Sequence, residues 1–118
     1  AVRFAGRNIS TLEVESVVLR HPQVKEAAAF GITSDQLASE DELKLNVVLK
    51  EGEELSPEAL CEFINQNAPH YFVPRYLEFV DALPYTPTNK VQKFALRDAG
   101  INDGTWDRNK SAFKVQKK

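Results

Sequence analysis

Alternation of apolar and polar residues marks the clearest element of the chain. Leucine or valine stands at positions 43, 45, 47 and 49, and lysine or asparagine stands at positions 44, 46 and 50. A period of two residues is typical of a strand whose two faces meet different surroundings. Two further apolar runs, residues 24–32 and 75–80, lie next to glycine or proline and are also predicted to be strands.

The first helix is predicted to begin at a capping box. The Ser10 hydroxyl can accept a hydrogen bond from the Glu13 amide while the Glu13 carboxylate reaches back. Ile9 before the cap and Val14 after it form a hydrophobic staple, and Pro22 ends the helix. The residues that share its buried stripe are Val14, Val17 and Val18.

A second helix is predicted after Ser56 and Pro57, which supply an N-cap and a first-turn proline. Its apolar face consists of Leu60, Phe63 and Ile64, and Pro69 stops it. Residues 91–98 indicate a short extension and a third helical segment, which Gly100 closes.

The order of these elements predicts an α+β domain. The strand, helix and strand between residues 43 and 80 fit one right-handed crossover, which pairs its strands in parallel. The strand at residues 24–32 forms a hairpin with the strand at 43–49 across a polar, acidic loop at 33–42. We therefore expect a small three-stranded mixed sheet flanked by helices, preceded by a hairpin-forming segment at residues 1–9.

Composition excludes several classes of protein. The 118 residues include one Cys and two His, so an internal disulfide is impossible and a Cys/His zinc site is not expected. No apolar run approaches the roughly 20 residues that span a bilayer, and the first residues lack the order of a signal peptide. We expect one cytosolic domain without a metal site or a membrane span.

Charge is distributed unevenly along the chain. The net charge is +1 over residues 1–34, −7 over residues 35–62 and +4 over residues 63–118. The basic C-terminal third could attract a polyanion, although a solvated helix face and an unstructured tail account for it as well. A non-catalytic binding module that holds an anion or RNA therefore stays open as an alternative function.

A stiff loop presents one lysine near the end of the chain. Residues 83–89 contain two prolines, two threonines, a tyrosine and an asparagine, which restrict or satisfy the backbone in ordered loops. Asn89 tolerates a positive φ almost as glycine does, so a tight turn is expected before Lys90. An ammonium group suits oxyanions, because its three donors can contact a phosphate and a carboxylate together.

This loop resembles the final signature of the adenylate-forming superfamily, Leu-Pro-x-Thr-x-x-Gly-Lys-Val/Ile-x-Lys/Arg. The matching residues are Leu83, Pro84, Thr86, Lys90, Val91 and Lys93, and Asn89 replaces the glycine. The start of the chain is similar to the signature beside the hinge of the same superfamily, through Gly6, Asn8, Ile9, Ser10, Glu13, Val14 and Glu15. Further landmarks are His21-Pro22-x-Val24 and Val73-Pro74-Arg75-Tyr76, so the resemblance covers residues 3 to about 98.

The resemblance implies the mobile C-terminal domain of an ATP-dependent acyl-CoA ligase, nearest the carnitine/crotonobetaine-CoA ligase group. Residues 1–99 would form this domain and residues 100–118 a basic tail. Its partner would be the N-terminal adenylation domain of the same chain. The substrates would be ATP with Mg²⁺, a carboxylic acid that becomes an acyl-adenylate, and CoA, with no nucleic acid partner. This fragment alone would be inactive, and an adenylation domain that feeds a carrier-protein thiol is the closest variant of this function.

Roles for individual residues follow from the resemblance alone. Lys90 is implied to be catalytic in adenylation. The loop with Gly6, Arg7 and Asn8 would face the pantetheine arm of CoA, because a residue without a side chain lets a narrow chain pass. The residues that support the two motifs are Glu13, Pro84, Thr86 and Asn89. The chain departs from many relatives at two positions, Ala5 in place of a basic residue and Arg7 in place of Glu.

Solvation or packing explains the other polar or reactive side chains without a catalytic or binding role. A solvated helix face accounts for Glu15, and packing or chain termini account for His21 and His70. Cys61 is interpreted as a small buried hydrophobe. Trp106 is expected to pack onto the domain rather than to stack on nucleic acid.

Overall fold

The computed structural model describes the backbone of residues 2–4, 7–33, 41–101 and 104–110. Nine regular elements follow each other along this part of the chain. In order they are β1 (Val2–Phe4), β2 (Arg7–Ile9), α1 (Thr11–Leu19), β3 (Val24–Thr33), β4 (Asp41–Leu49), α2 (Pro57–Asn67), β5 (Tyr76–Phe79), α3 (Lys93–Ala99) and β6 (Trp106–Asp107). Short 3₁₀ turns occupy His70–Phe72 and Arg108–Lys110.

The N-terminal hairpin and the start of α1 form as the sequence predicts. β1 and β2 pair antiparallel, with Val2 opposite Ile9. The Ser10 side chain accepts a hydrogen bond from the Glu13 amide at 3.4 Å, and Ile9 and Val14 are both buried in one cluster. The helix ends at Leu19 with Arg20 as its C-cap, two residues before Pro22.

The sheet has four strands instead of the three expected from the sequence. Its order is β3-β4-β5-β6, with β3 and β4 antiparallel, β4 and β5 parallel, and β5 and β6 antiparallel. The α+β class, the hairpin and the parallel pair are therefore confirmed. β6 escapes prediction because a strand of two residues, Trp106 and Asp107, is too short to show a period.

Both faces of the sheet are covered, and each has its own apolar cluster. The first cluster lies under α1 and α2 and includes Leu43, Leu45 and Val47 of β4. The second cluster contains Ala28, Phe30 and Val48, together with Leu83 of the loop before α3 and Leu96 of α3. Successive strand residues point to opposite faces, so α3 and that loop lie across the sheet from α1 and α2.

The covered second face buries polar side chains of β4. Lys44 is 1% exposed and donates hydrogen bonds to Glu78 Oε1 at 2.9 Å and to the Gly100 carbonyl at 2.6 Å. Asn46 is 3% exposed, and its Oδ1 has no hydrogen-bond partner among the described residues. The alternation of leucine with lysine and asparagine marks the strand correctly, but the polar positions lie inside the protein.

Residues 104–110 fasten the end of the described chain to the sheet. The Thr105 hydroxyl donates to Glu78 Oε1 at 3.0 Å, and Arg75 Nε donates to Asp107 Oδ1 at 3.3 Å. Arg108 Nη1 donates to the Val73 carbonyl at 2.8 Å, and burial lowers its pKa. This segment of the basic C-terminal region is thus bonded into the domain.

Candidate functional site

The lysine loop (residues 83–92) is held by hydrogen bonds within itself. The Thr86 amide donates to the Lys90 carbonyl at 2.7 Å, and the Lys90 amide donates to Thr86 Oγ1 at 3.1 Å. At the base of the loop the Gln92 amide donates to the Pro84 carbonyl at 2.8 Å. Thr86 therefore connects both ends of the turn, which is a structural reason for a threonine at this position of the signature.

The turn before the lysine has the conformation expected from its asparagine. Asn89 has a φ of +64°, and its amide donates to the Thr86 carbonyl at 2.9 Å. Asparagine adopts this left-handed region more readily than most other residues do, and glycine adopts it at no steric cost. Asn89 thus adopts a left-handed conformation that a glycine at this position of the signature would also allow.

The loop presents Lys90 to solvent from an anchored base. Leu83 is 5% exposed and packs in the second cluster with the half-buried Val91. Lys90 itself is exposed, and within the described part of the chain its ammonium group makes no ion pair. A rigid loop that holds one unpaired cation outward can bring that charge to an anion on another surface.

Tyr85 joins the lysine loop to the edge strand of the sheet, a contact that the sequence did not reveal. Its hydroxyl donates a hydrogen bond to Glu26 Oε1 on β3. This hydrogen bond is the largest cause of the raised pKa of Tyr85. Partial burial and the negative charge of Glu26 raise the pKa further. The two residues are 59 positions apart, so no local pattern links them.

The structure gives less detail on the N-terminal motif. Gly6 lies outside the described residues. Arg7 and Asn8 belong to β2, where their backbones lie opposite Phe4 and Arg3. Helix α1, which follows the motif, packs on the first face of the sheet, whereas the lysine loop packs on the second. The structure thus places α1 and Lys90 on opposite sides of one sheet.

The two glutamates of α1 have different surroundings. Glu13 is exposed, and its backbone amide completes the cap with Ser10. Glu15 was expected on a solvated face, but its Oε2 accepts a hydrogen bond from the Ala29 amide at 2.7 Å. Because β3 is an edge strand of the four-stranded sheet, Glu15 occupies a backbone donor that another strand could otherwise use.

The remaining reactive side chains are packed into the domain. The His21 ring lies 4.8 Å from the Phe63 ring, its Nδ1 accepts from the Gln23 amide, and burial lowers its pKa. His70 packs edge-on against Tyr71. Burial raises the pKa of Cys61 to about 12, so the thiol stays protonated. Packing of these residues is confirmed.

Trp106 is half-buried and packs against the first cluster, which confirms its packing role. The described residues contain no group of three His, Cys, Asp or Glu that could hold a metal ion. Within the same ranges, every helix is too short or too polar to cross a membrane.

Comparison with known proteins identifies relatives over most of the chain. The model of the family "AMP-binding enzyme C-terminal domain" matches residues 13–90. The medium-chain acyl-CoA ligase ACSF2 of Mus musculus is 37% identical over 93 residues, which are 79% of this chain and 15% of that protein. The crotonobetaine/carnitine–CoA ligase of Proteus mirabilis is 35% identical over 92 residues, which are 78% of this chain and 17% of that protein.

Solved structures agree with these relatives. An acyl-CoA synthetase of Brucella canis superposes with a TM-score of 0.76 at 35% identity, over 84% of this chain and 19% of that one. The anthranilate CoA ligase AuaEII in complex with anthranoyl-AMP superposes with a TM-score of 0.74 at 32% identity, over 83% of this chain and 19% of that one. The chain thus spans less than a fifth of the length of the relatives named here. The matched motifs, the family match and the shared fold together show that this chain belongs to the family of AMP-binding enzyme C-terminal domains.

Proposed function

We propose that this chain is the mobile C-terminal domain of an ATP-dependent acyl-CoA ligase. The observation that carries the proposal is the lysine loop, which is bonded internally, anchored in the second cluster and projects an exposed Lys90. A single exposed lysine cannot catalyse a reaction alone. Lys90 must act together with a second surface that binds the nucleotide and the acid, and we assign this surface to the N-terminal adenylation domain of the same protein.

Lys90 acts in the first half reaction. The carboxylate oxygen of the acid attacks the α-phosphorus of ATP, and pyrophosphate leaves with its electron pair. Negative charge builds on the oxygens between the two reactants, and the Lys90 ammonium donates hydrogen bonds to both. Because the loop is already ordered by Thr86 and Asn89, the cation does not have to be reorganised during the reaction.

The second half reaction uses the other side of the domain. The small domain turns about its hinge, Lys90 withdraws, and the loop with Gly6 approaches the acyl-adenylate. The CoA thiol loses its proton, its sulfur attacks the acyl carbon, and AMP leaves with the electron pair of the acyl–oxygen bond as the thioester forms. The position of α1 across the sheet from the lysine loop supports this exchange, because one rotation replaces one face by the other.

The likeness to known ligases supports acyl-CoA formation as the reaction class, but it favours no particular acid as the substrate. The relatives named for medium-chain acids, oxalate and crotonobetaine or carnitine are all 34% to 37% identical to this chain. The alternative of an anion- or RNA-binding module loses support in the tail, where Arg108 is occupied by the carbonyls of Val73 and Pro74.

The proposed division of labour predicts that activity needs both domains. The intact protein that contains this chain should form acyl-CoA from ATP, CoA and an acid, with octanoate, oxalate and crotonobetaine as the first probes. The 118-residue chain alone should fold but form no thioester, because it offers a lysine without a nucleotide pocket. Thioester formation by the fragment, or none by the intact protein with a broad panel of acids, would overturn the proposal.

A bulky residue at position 6 should impair only the second half reaction. In the intact protein, Gly6→Leu adds a side chain where the pantetheine arm is proposed to pass, so thioester formation from added acyl-adenylate should fall. Pyrophosphate release in a single turnover should persist. We expect the ratio of the two rates to shift by at least about tenfold, or about 1.4 kcal/mol.

Gly6→Ala serves as the matched smaller variant and should show a weaker form of the same defect. Thermal melting must first show that both variants are folded. Equal losses in both half reactions would assign Gly6 to folding or to the hinge, and the pantetheine role would be wrong.

A further inference from the structure

The position of the lysine loop depends on a polar contact outside the signature residues. Leu83 and Val91 anchor the loop through apolar packing, which has no directional preference. The Tyr85 hydroxyl adds a directional bond, since it donates to Glu26 Oε1 on β3. Tyr85 directly precedes Thr86, the residue whose amide and hydroxyl hold Lys90.

A bulge in β3 places Glu26 on the side of the sheet where the loop lies. Val24 pairs with Leu49, whereas Glu26 pairs with Val48, so the register shifts by one residue at Lys25. Without this shift, residues 24 and 26 would share a face, because side chains alternate along a strand.

Because of this shift, the side chains of Val24 and Glu26 point to opposite faces of the sheet. Val24 is buried in the first cluster under α1 and α2. Glu26 instead lies on the side of Ala28 and Phe30, which belong to the second cluster. Bulges next to functional sites commonly re-aim a side chain in this way.

We propose that Glu26 and Tyr85 are positioning residues for Lys90. Their hydrogen bond holds the start of the loop against the edge of β3, and Thr86 transmits that position to the lysine. Since misplacement of a reacting group by about 1 Å can cost on the order of 100-fold in rate, a bond that orients the loop should affect catalysis more than folding. This inference rests on the proposed role of Lys90 in adenylation.

The test uses the intact protein with Tyr85→Phe, Glu26→Ala and the double variant. Pyrophosphate release with ATP and the acid that the unchanged protein activates reports adenylation, and capture of CoA by added acyl-adenylate reports the second step. Adenylation should fall about tenfold or more in each single variant, while the second step and the melting temperature stay close to those of the unchanged protein. The double variant should be no slower than the slower single variant, because both changes break one bond.

Two further variants separate positioning from a general structural role. Glu26→Gln keeps an oxygen that can accept from Tyr85 and should retain most of the adenylation rate. Glu51→Ala removes an exposed carboxylate from the turn after β4 and should leave both rates unchanged.

Additive losses in the double variant, equal losses in both half reactions, or unchanged adenylation in Tyr85→Phe would each overturn the positioning role. Lys90→Ala separates this outcome from a failure of the proposed function. If Lys90→Ala abolishes adenylation while Tyr85→Phe does not slow it, only the positioning role is wrong. If Lys90→Ala leaves adenylation intact, both proposals are wrong.

Discussion

Replacing Lys90 with alanine in the intact protein should slow acyl-adenylate formation by about 100- to 1000-fold. The expected loss of about 2.7 to 4 kcal/mol is that of one donor to a developing oxyanion. Lys90 is exposed and lies on an internally bonded loop, so its truncation should leave the fold intact. Pyrophosphate release in a single turnover would measure the effect.

Added acyl-adenylate should bypass this defect. The second half reaction does not use the lysine in the proposed mechanism, so CoA capture should proceed at nearly the original rate. Lys50→Ala removes an exposed lysine just after β4 and is the matched control, with both half reactions unchanged. A fall of the thioester step by the same factor as adenylation would show that Lys90 supports the structure instead.

Replacing Lys44 with alanine should destabilise the domain by about 3 to 5 kcal/mol. The Lys44 ammonium lies 2.9 Å from Glu78 Oε1, and the side chains of the two residues are 2% and 16% exposed. Its removal takes a charged donor from the largely buried Glu78 carboxylate, which keeps the hydrogen bond from Thr105, and takes the same donor from the Gly100 carbonyl. Denaturant unfolding of the 118-residue chain would measure the change in the free energy of unfolding.

The matched variants test whether the loss of stability comes from breaking the ion pair between Lys44 and Glu78. The double variant Lys44→Met, Glu78→Leu removes both charges and should recover part of the lost stability, since an apolar pair often replaces a buried ion pair at little cost, although it also removes the acceptor of the Thr105 hydroxyl. Lys50→Ala, an exposed lysine close to the same strand, should change stability by no more than about 0.5 kcal/mol. A loss below about 1 kcal/mol for Lys44→Ala would contradict the role of this ion pair.

Local sequence patterns were sufficient to predict most of the helices and strands. The Ser10 and Ser56 caps mark the starts of α1 and α2, because a hydroxyl that accepts from the amide three residues later needs only local geometry. The period of two in β4 and the φ of Asn89 are local properties of the same kind. The strand count was wrong because β6 is too short for any period and forms only by pairing with β5.

The candidate site also combines features that the sequence predicts with features that only the fold shows. The sequence alone determined the lysine loop, its tight turn and its resemblance to a known signature, because these depend on residue types at fixed short spacing. Only the tertiary structure showed that Glu26 anchors Tyr85 and that Glu15 binds the Ala29 amide. It also showed that α3 and the lysine loop cover the second face of the sheet. These two segments bury Lys44, whose ammonium group donates to Glu78 and to the Gly100 carbonyl, 34 and 56 residues away along the chain. Such pairings depend on where distant segments meet in the fold, and burial is set by what packs over a strand rather than by the strand itself.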